Sequence, residues 1–108
     1  MTDEKMRATA VPELDPVIHA QARLRVMVAL AALGADEQVT FPRLRQLLDM
    51  TAGNLSIHLR KLEEAEYVEI VKTHQRRTPV TLVMLTASGR VAFDRYVTAV
   101  RSLLPEPT

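Results

Sequence analysis

The spacing of hydrophobic and polar positions changes twice along this chain, and each change marks a different kind of element. From about residue 15 to residue 65, apolar residues recur every three or four positions, as in amphipathic helices. Residues 67–72 and 80–85 alternate instead and are rich in β-branched side chains, so they predict two strands. The helical spacing returns after residue 86. The pattern predicts a mainly α domain with a small β-hairpin over residues 15–104, preceded by a disordered segment at residues 1–14.

Residues that favour helix starts and stops lie where this pattern needs them. Asp15-Pro16 predicts the N-cap and first turn of the first helix, and Gly34 predicts its end. Each later helix follows a threonine that is suited to an N-cap, at Thr40, Thr51 and Thr86. The expected ends of these three helices are about Asp49, about Ala65 and the prolines Pro105 and Pro107.

The first predicted helix is apolar on two sides. One side carries Val17, Leu24, Met27, Val28 and Ala31, and the other carries Ile18, Ala22, Val26, Ala29, Leu30 and Leu33. A helix at the surface of a small monomer needs only one apolar stripe. We therefore expect either a third layer of the chain or a partner subunit to cover the second side. The second helix has a single core face, formed by Leu44, Leu47 and Leu48.

The third predicted helix presents an unusual outward surface. With Leu55, Leu59 and Leu62 turned toward the core, its remaining face is small, polar and basic with one apolar residue. An amide side chain can bond to adenine, an arginine to guanine, and an isoleucine methyl can contact thymine. The residues expected to read bases are Gly53, Asn54, Ser56, Ile57 and Arg60. The alternative for Ile57 is packing against another subunit or simple exposure, which is common for single apolar residues.

The predicted hairpin tip, residues 73–79, is basic. Lys72, His74, Arg76 and Arg77 lie in a stretch without any acidic residue between Val71 and Pro79. Such a tip suits contacts with backbone phosphates, although an ordinary solvated turn has the same composition. The further residues expected to contact phosphates are Thr51, Arg43, Arg45 and Lys61.

Three segments together resemble winged-helix transcriptional regulators of the MarR/ArsR type. TAGNLSIHLRKLEEAEYV at residues 51–68 is similar to their recognition segment, VTFPRL at 39–44 to their preceding helix, and LTASG at 85–89 to the start of their final helix. The resemblance implies a winged helix-turn-helix fold with a three-helix core, a two-stranded wing and a C-terminal dimerisation helix. Two features depart from it: Glu66 replaces the usual glycine, and the wing tip has no glycine.

The resemblance also implies a homodimer that binds a pseudo-palindromic operator in double-stranded DNA, as a repressor or an activator, of which we favour the repressor. Its first and last helices would build the dimer interface, in agreement with the two-sided first helix. The expected interface residues are Val17, Ile18, Leu24, Val28, Phe93, Tyr96, Val97, Val100, Leu103 and Leu104. The alternative function is a winged-helix module that binds protein without reading DNA.

Composition excludes several other classes of protein. Without cysteine there is no disulfide and no thiolate metal site, which fits a reducing cytoplasm. His19, His58 and His74 lie far apart without carboxylates at ligand spacing, so we expect no metal and no cofactor. No segment has the length of a membrane span and no catalytic motif is present. A small-molecule effector is possible near His19 at the dimer seam, but no residue indicates one.

Overall fold

The structure, a computed structural model, describes residues 11–34 and 37–105. Within them it contains four helices and three strands. They are α1 (Gln21–Ala31), β1 (Val39–Thr40), α2 (Phe41–Leu48), α3 (Ala52–Glu64), β2 (Val68–Gln75), β3 (Thr78–Leu85) and α4 (Ala87–Leu103). The strands form an antiparallel sheet in the order β1-β3-β2. This is the winged-helix arrangement that the sequence predicted, with β1 as an additional strand. Most of the predicted segment at residues 1–14 lies outside the described residues.

Helices α1 to α3 enclose one aliphatic core with the sheet. The fully buried side chains are those of Ile18, Val26, Met27, Leu30, Leu44, Leu55, Leu59, Leu62 and Val83. Each such side chain contributes about 1.5–3 kcal/mol through the hydrophobic effect. The prediction for Leu47 was wrong, because its side chain is 51% exposed. Leu44 and Leu48, which lie four positions apart, supply the buried contacts of this short helix, and Leu47 lies to one side of them.

Helix α1 begins later than the sequence predicted. The Asp15 carboxylate does accept a hydrogen bond from the Val17 amide at 2.9 Å, and the His19 amide donates to the Asp15 carbonyl at 2.7 Å. This turn then stops, because Ala20 is extended with φ −146° and α1 starts only after it. The predicted left-handed end at Gly34 is also wrong, since no glycine has a positive φ. The helix closes instead with Ala32 in a right-handed conformation.

The three threonine caps are confirmed. Thr40 accepts a hydrogen bond from the Arg43 amide at 3.2 Å, Thr51 from the Asn54 amide at 3.1 Å, and Thr86 from the Gly89 amide at 2.9 Å. A side-chain cap of this kind stabilises a helix by about 1 kcal/mol. The caps therefore determine where α2, α3 and α4 begin, and so which residues of α3 face outward.

Glu66 stands where the resemblance implied a glycine, and it adopts the left-handed conformation that favours glycine. Its φ is 64°. The Tyr67 amide donates to the Leu62 carbonyl at 2.9 Å and the Glu66 amide to the Glu63 carbonyl at 2.8 Å. These two bonds form a Schellman motif, which satisfies the last carbonyls of α3. A non-glycine residue in this conformation costs about 1–2 kcal/mol.

The hairpin is longer and its turn tighter than predicted. Strands β2 and β3 pair without interruption from Val68 opposite Leu85 to Gln75 opposite Thr78. Only Arg76 and Arg77 remain for the turn, with φ 49° and 71°. Positive φ at both central residues is the type I′ geometry, whose twist matches that of the strands. The predicted tip of residues 73–79 was therefore wrong, because most of those residues belong to the ladder.

Candidate nucleic-acid interface

The outward face of α3 lies open to solvent, as the helical spacing predicted. Gly53, Asn54, Ser56, Ile57 and Arg60 are all exposed. The Ile57 side chain is 57% exposed and adds an apolar group to this otherwise polar face. The five residues thus form one continuous surface that a ligand of sufficient size can contact.

The first turn of α3 allows another molecule to approach the backbone closely. Apart from the neighbouring residues and backbone of α3 itself, no atom of the described residues lies within 4 Å of the position that a Cβ of Gly53 would occupy. Thr51 satisfies the amide of Asn54, and the helix N-terminus carries the positive end of the helix dipole. This end of α3 is therefore suited to an anion such as a phosphate.

A cleft of about 340 Å³ separates α3 from the wing formed by β2 and β3. Arg60 borders it from the helix and Lys72 borders it from β2, so the structure brings a predicted base-reading residue beside a predicted phosphate contact. Glu63 borders the same cleft, although the sequence pattern had not placed it in the site. Its position three residues after Arg60 was the available signal, because residues at that spacing share a helix face.

The wing carries the remaining predicted phosphate contacts away from this cleft. His74, Arg76 and Arg77 are exposed. At about 3.3 Å per residue, the tip lies about 13 Å beyond Lys72 along β2. The two arginines occupy left-handed conformations that cost about 1 kcal/mol or more each. Strain of this kind is concentrated at functional sites, where another requirement offsets its cost.

The other predicted phosphate contacts are exposed, but some of their side chains are held by hydrogen bonds within the protein. Arg45 donates from Nε to the Met50 carbonyl at 3.1 Å, which ties it to the turn between α2 and α3. Arg43 approaches the Gln46 side chain at 3.5 Å. Lys61 is exposed on the flank of α3. All three lie on the two helices of the helix-turn-helix unit.

His58 lies on the half-buried flank of α3. Its Nδ1 is buried without a hydrogen-bond partner. Burial lowers the pKa of His58 below its usual value of 6.5, and the nearby charges of Arg23 on α1 and Lys61 on α3 lower it further. All three effects disfavour the charged imidazole in the folded protein.

We expect acid to destabilise the protein through His58. Because the folded-state pKa is depressed, the stabilisation is present above about pH 6.5 and is lost as the pH falls through the folded-state value. Urea unfolding at several pH values measures this loss, and His58→Gln should flatten the pH dependence. His74→Gln is the matched control at an exposed position, and an unchanged slope in His58→Gln would contradict the assignment.

Two predicted interface residues have little exposed surface. Ile18 is 0% exposed and Tyr96 is 6% exposed, both within the core of a single chain. The His19 imidazole Nδ1 lies 2.9 Å from the Tyr96 hydroxyl, so this tyrosine already has a polar partner. Within one chain these two side chains are already covered, Tyr96 in part by the turn at residues 15–19, and their place in a dimer interface stays a prediction.

The other predicted interface residues retain some exposed surface. Val17, Leu24, Phe93, Val97 and Val100 are half-buried, whereas Val28, Leu103 and Leu104 are exposed. Val91 on α4 is also 48% exposed and was not predicted. Apolar surface on α1 and α4 is therefore still uncovered in the described part of one chain.

Residues 11–34 and 37–105 contain neither a metal-binding group nor a membrane-spanning helix. No group of three or more histidine and carboxylate side chains is placed to hold a metal ion there. None of the described helices is long and apolar enough to cross a membrane.

Comparisons with known proteins agree with this geometry. A family model described as winged helix DNA-binding domain matches residues 22–104. An uncharacterized protein of Methanocaldococcus jannaschii is 35% identical over 81 residues, which cover 75% of this chain and 85% of the relative.

Solved structures show the same fold. The transcriptional regulator homologue from Pyrococcus horikoshii OT3 superposes with a TM-score of 0.74 at 25% identity, covering 95% of this chain and 94% of its own. A MarR-family transcriptional regulator from Silicibacter pomeroyi superposes with a TM-score of 0.61 at 21% identity, covering 92% and 58%. None of these similarities bears on the ArsR part of the resemblance. The chain belongs to the family of winged helix DNA-binding domains, and its fold is that of MarR-type transcriptional regulators.

Proposed function

We propose that this protein is a transcriptional regulator that binds a pseudo-palindromic operator as a homodimer and acts as a repressor where the operator overlaps a promoter. The observation that carries the proposal is the exposed face of α3 beside a basic wing. The family supports DNA as the partner, and the Pyrococcus neighbour is described as a transcriptional regulator homologue. Such a protein acts in the compartment that holds the chromosome, which is the cytoplasm of a prokaryotic cell.

In this proposal α3 enters the major groove. Gly53 allows the backbone to approach, and Asn54, Ser56 and Arg60 offer hydrogen bonds to base edges. Ile57 supplies the apolar contact, and a thymine methyl group is the apolar feature that a major groove presents. The exposure of these side chains supports this role, because a duplex can reach them without unfolding the helix.

The wing and α2 would contact the phosphate backbone of the DNA. Arg76 and Arg77 at the tip, Lys72 at the cleft and Arg43 on α2 are exposed cations that flank α3 on separate elements. Phosphate contacts of this kind fix the register of a protein on the duplex without reading sequence. The net charge of the chain is only +1, so the affinity must come from this local concentration of charge.

Exposed apolar surface supports the homodimer. Val28 is 50% exposed on α1 and Leu104 is 61% exposed after α4. A two-fold axis between such surfaces would place two copies of α3 in successive major grooves, with half-sites about 34 Å apart. Sedimentation of the purified chain at micromolar concentration tests the dimer directly.

The experiment that tests the function is selection of bound duplexes from a random DNA pool, followed by affinity measurements at several salt concentrations. We expect a pseudo-palindrome, and an affinity that falls by about a hundredfold or more between low and moderate salt. An affinity that stays flat with salt would contradict the arginine assignments. Failure to bind any duplex would overturn the proposal.

Replacing Ile57 with alanine should relax specificity without unfolding the protein. We expect the preference at one A·T position to weaken by about 1 kcal/mol while the melting temperature stays unchanged, because the side chain is mostly exposed. Leu59→Ala is the matched control on the buried face and should cost about 2–5 kcal/mol of stability. A loss of stability in Ile57→Ala would show that Ile57 packs against the rest of the protein and does not contact a DNA base.

Ile57 also favours the second candidate, a module that binds protein through the same surface. Apolar side chains anchor protein interfaces, but lysine is depleted there, and cations surround this surface. Arg76→Ala/Arg77→Ala separates the two. It should weaken binding to all DNA sequences alike if the surface binds DNA, and leave a protein partner's affinity nearly unchanged otherwise.

A further inference from the structure

The end of α3 and the start of α4 are joined by contacts at Glu66 and Tyr67. The Glu66 carbonyl accepts hydrogen bonds from the Thr86 hydroxyl at 2.6 Å and the Ser88 hydroxyl at 2.8 Å. The Thr86 amide donates to the Tyr67 carbonyl at 3.0 Å. Gly89 packs directly on the same peptide, since a Cβ there would lie 2.1 Å from the Tyr67 carbonyl oxygen. We refer to these five residues as the α3–α4 joint.

Tyr67 extends the joint to the turn before α1. Its hydroxyl donates to Asp15 Oδ2 at 2.5 Å, and the other carboxylate oxygen of Asp15 accepts from the Val17 amide at 2.9 Å. This hydrogen bond to Asp15, together with burial, raises the pKa of Tyr67 to about 12. The phenol is therefore protonated, and remains a donor, throughout the pH range in which the protein would act.

The rest of α4 has fewer polar ties to the DNA-binding elements. Arg90 reaches the Ala31 carbonyl at 3.4 Å and the Leu33 carbonyl at 3.5 Å, at the end of α1. Tyr96 is held by His19, whereas Leu103 is exposed at the end of the helix. The direct hydrogen bonds between α4 and the end of α3 therefore all lie in the first turn of α4.

We propose that the α3–α4 joint fixes the direction of α3 relative to α4, and that Asp15, Tyr67 and Ser88 are positioning residues that determine which half-site spacing the dimer accepts. The consequence for DNA rests on the proposed function, whereas the rigidity of the joint is a property of one chain. Because successive base pairs are about 3.4 Å apart, a change in the direction of α3 that moves it by this distance shifts its register on DNA by one base pair. The hydrogen bonds of the joint would limit such a movement.

The test uses Tyr67→Phe/Ser88→Ala. The double variant removes two hydroxyl donors from the joint but retains the Thr86 cap, the aromatic ring and the packing of Gly89. Ser102→Ala is the matched control for the serine change, because it removes from the same helix a hydroxyl that bonds to the Ala99 carbonyl at 2.7 Å. Both proteins should fold, since each of the removed hydrogen bonds contributes modestly to stability.

The first readout does not require DNA. The chain has no cysteine, so Glu63→Cys/Arg101→Cys places one spin label on α3 and one near the end of α4. Labelled chains diluted into excess unlabelled protein report the distance within a single chain. We expect the double variant to broaden the distance distribution about twofold and Ser102→Ala to leave it unchanged. An unchanged width in the double variant would overturn the proposal.

The second readout is affinity for a series of duplexes whose half-sites are moved apart or together by single base pairs. We expect the wild type to prefer its best spacing by about tenfold and the double variant by about twofold, with the affinity for an isolated half-site unchanged. An equal loss on every duplex would show a merely structural effect and overturn the positioning role. A wild-type protein that binds no duplex would overturn the proposed function instead. The spin-label distances would still show whether the joint holds α3 in a fixed direction relative to α4.

Discussion

Replacing Gly89 with alanine is expected to lower the free energy of unfolding by about 3 kcal/mol, although alanine is the better helix former by about 1 kcal/mol. The added Cβ would lie 2.1 Å from the carbonyl oxygen of Tyr67 and 2.8 Å from its carbonyl carbon. Both are backbone atoms, and the Thr86 amide already holds that carbonyl. They cannot rotate away as the end of a flexible side chain would. Urea unfolding followed by circular dichroism measures the change.

Gly53→Ala is the matched control for Gly89→Ala. Both glycines lie in the first turn of a helix, but the Cβ position at Gly53 has no described atom within 4 Å beyond its own helix backbone and chain neighbours. Alanine there should raise the free energy of unfolding by about 0.5–1 kcal/mol and weaken DNA binding, because the new methyl group would meet the floor of the groove. A neutral Gly89→Ala would show that α4 can move away from Tyr67 at little cost.

Replacing the wing turn by Arg76→Asn/Arg77→Gly should stabilise the fold and weaken its function together. Asn-Gly is the preferred pair for a type I′ turn, so the free energy of unfolding should rise by about 1–2 kcal/mol. Affinity for all DNA sequences should fall about tenfold or more at moderate salt. The slope of log affinity against log salt should decrease by about 1 for each phosphate that the variant no longer neutralises. Urea unfolding and fluorescence anisotropy at several salt concentrations measure these quantities.

The control for the wing is Arg101→Gln, which removes a charge from an exposed position near the end of α4. This variant should change DNA affinity by much less for each charge removed, because Arg101 lies near the C-terminal end of α4 and not on α3 or the wing. A wing variant that is stabilised but binds DNA as well as the wild type would contradict the phosphate role. A wing variant that is not more stable than the wild type would contradict the inference that Arg76 and Arg77 are strained in the turn.

The features that could be predicted from sequence are those set by local spacing. Leu55, Leu59 and Leu62 share one face because each residue advances the helix by about 100°, and the exposure of Ile57 follows from the same rotation. The threonine caps depend only on residues three positions apart, so Thr51 and Thr86 were correctly predicted. The outward surface of α3, which carries the proposed function, belongs to this class.

The features that were missed depend on distant partners. Strand β1 exists only because Val39 and Thr40 pair with Val83 and Leu82 of β3. Tyr96 is buried because the turn at residues 15–19 packs against α4, which no periodicity within α4 reveals. The tight wing turn was missed for another reason. Arginine seldom occupies a left-handed turn position, so the composition at residues 76 and 77 pointed to a longer loop.

The left-handed backbone positions in the described residues have a wider consequence. Asp49, Glu66, Arg76 and Arg77 have positive φ, while none of the three glycines does. Asp49 terminates α2 outside both the proposed DNA surface and the α3–α4 joint, so glycine there would relieve strain while sparing recognition. Glycine at Glu66 would relieve strain as well, but Glu66 belongs to the joint, and the added freedom of its backbone would loosen α3. The Asp49→Gly chain would therefore be more stable, and it would tolerate destabilising changes on the groove-facing side that the natural chain could not.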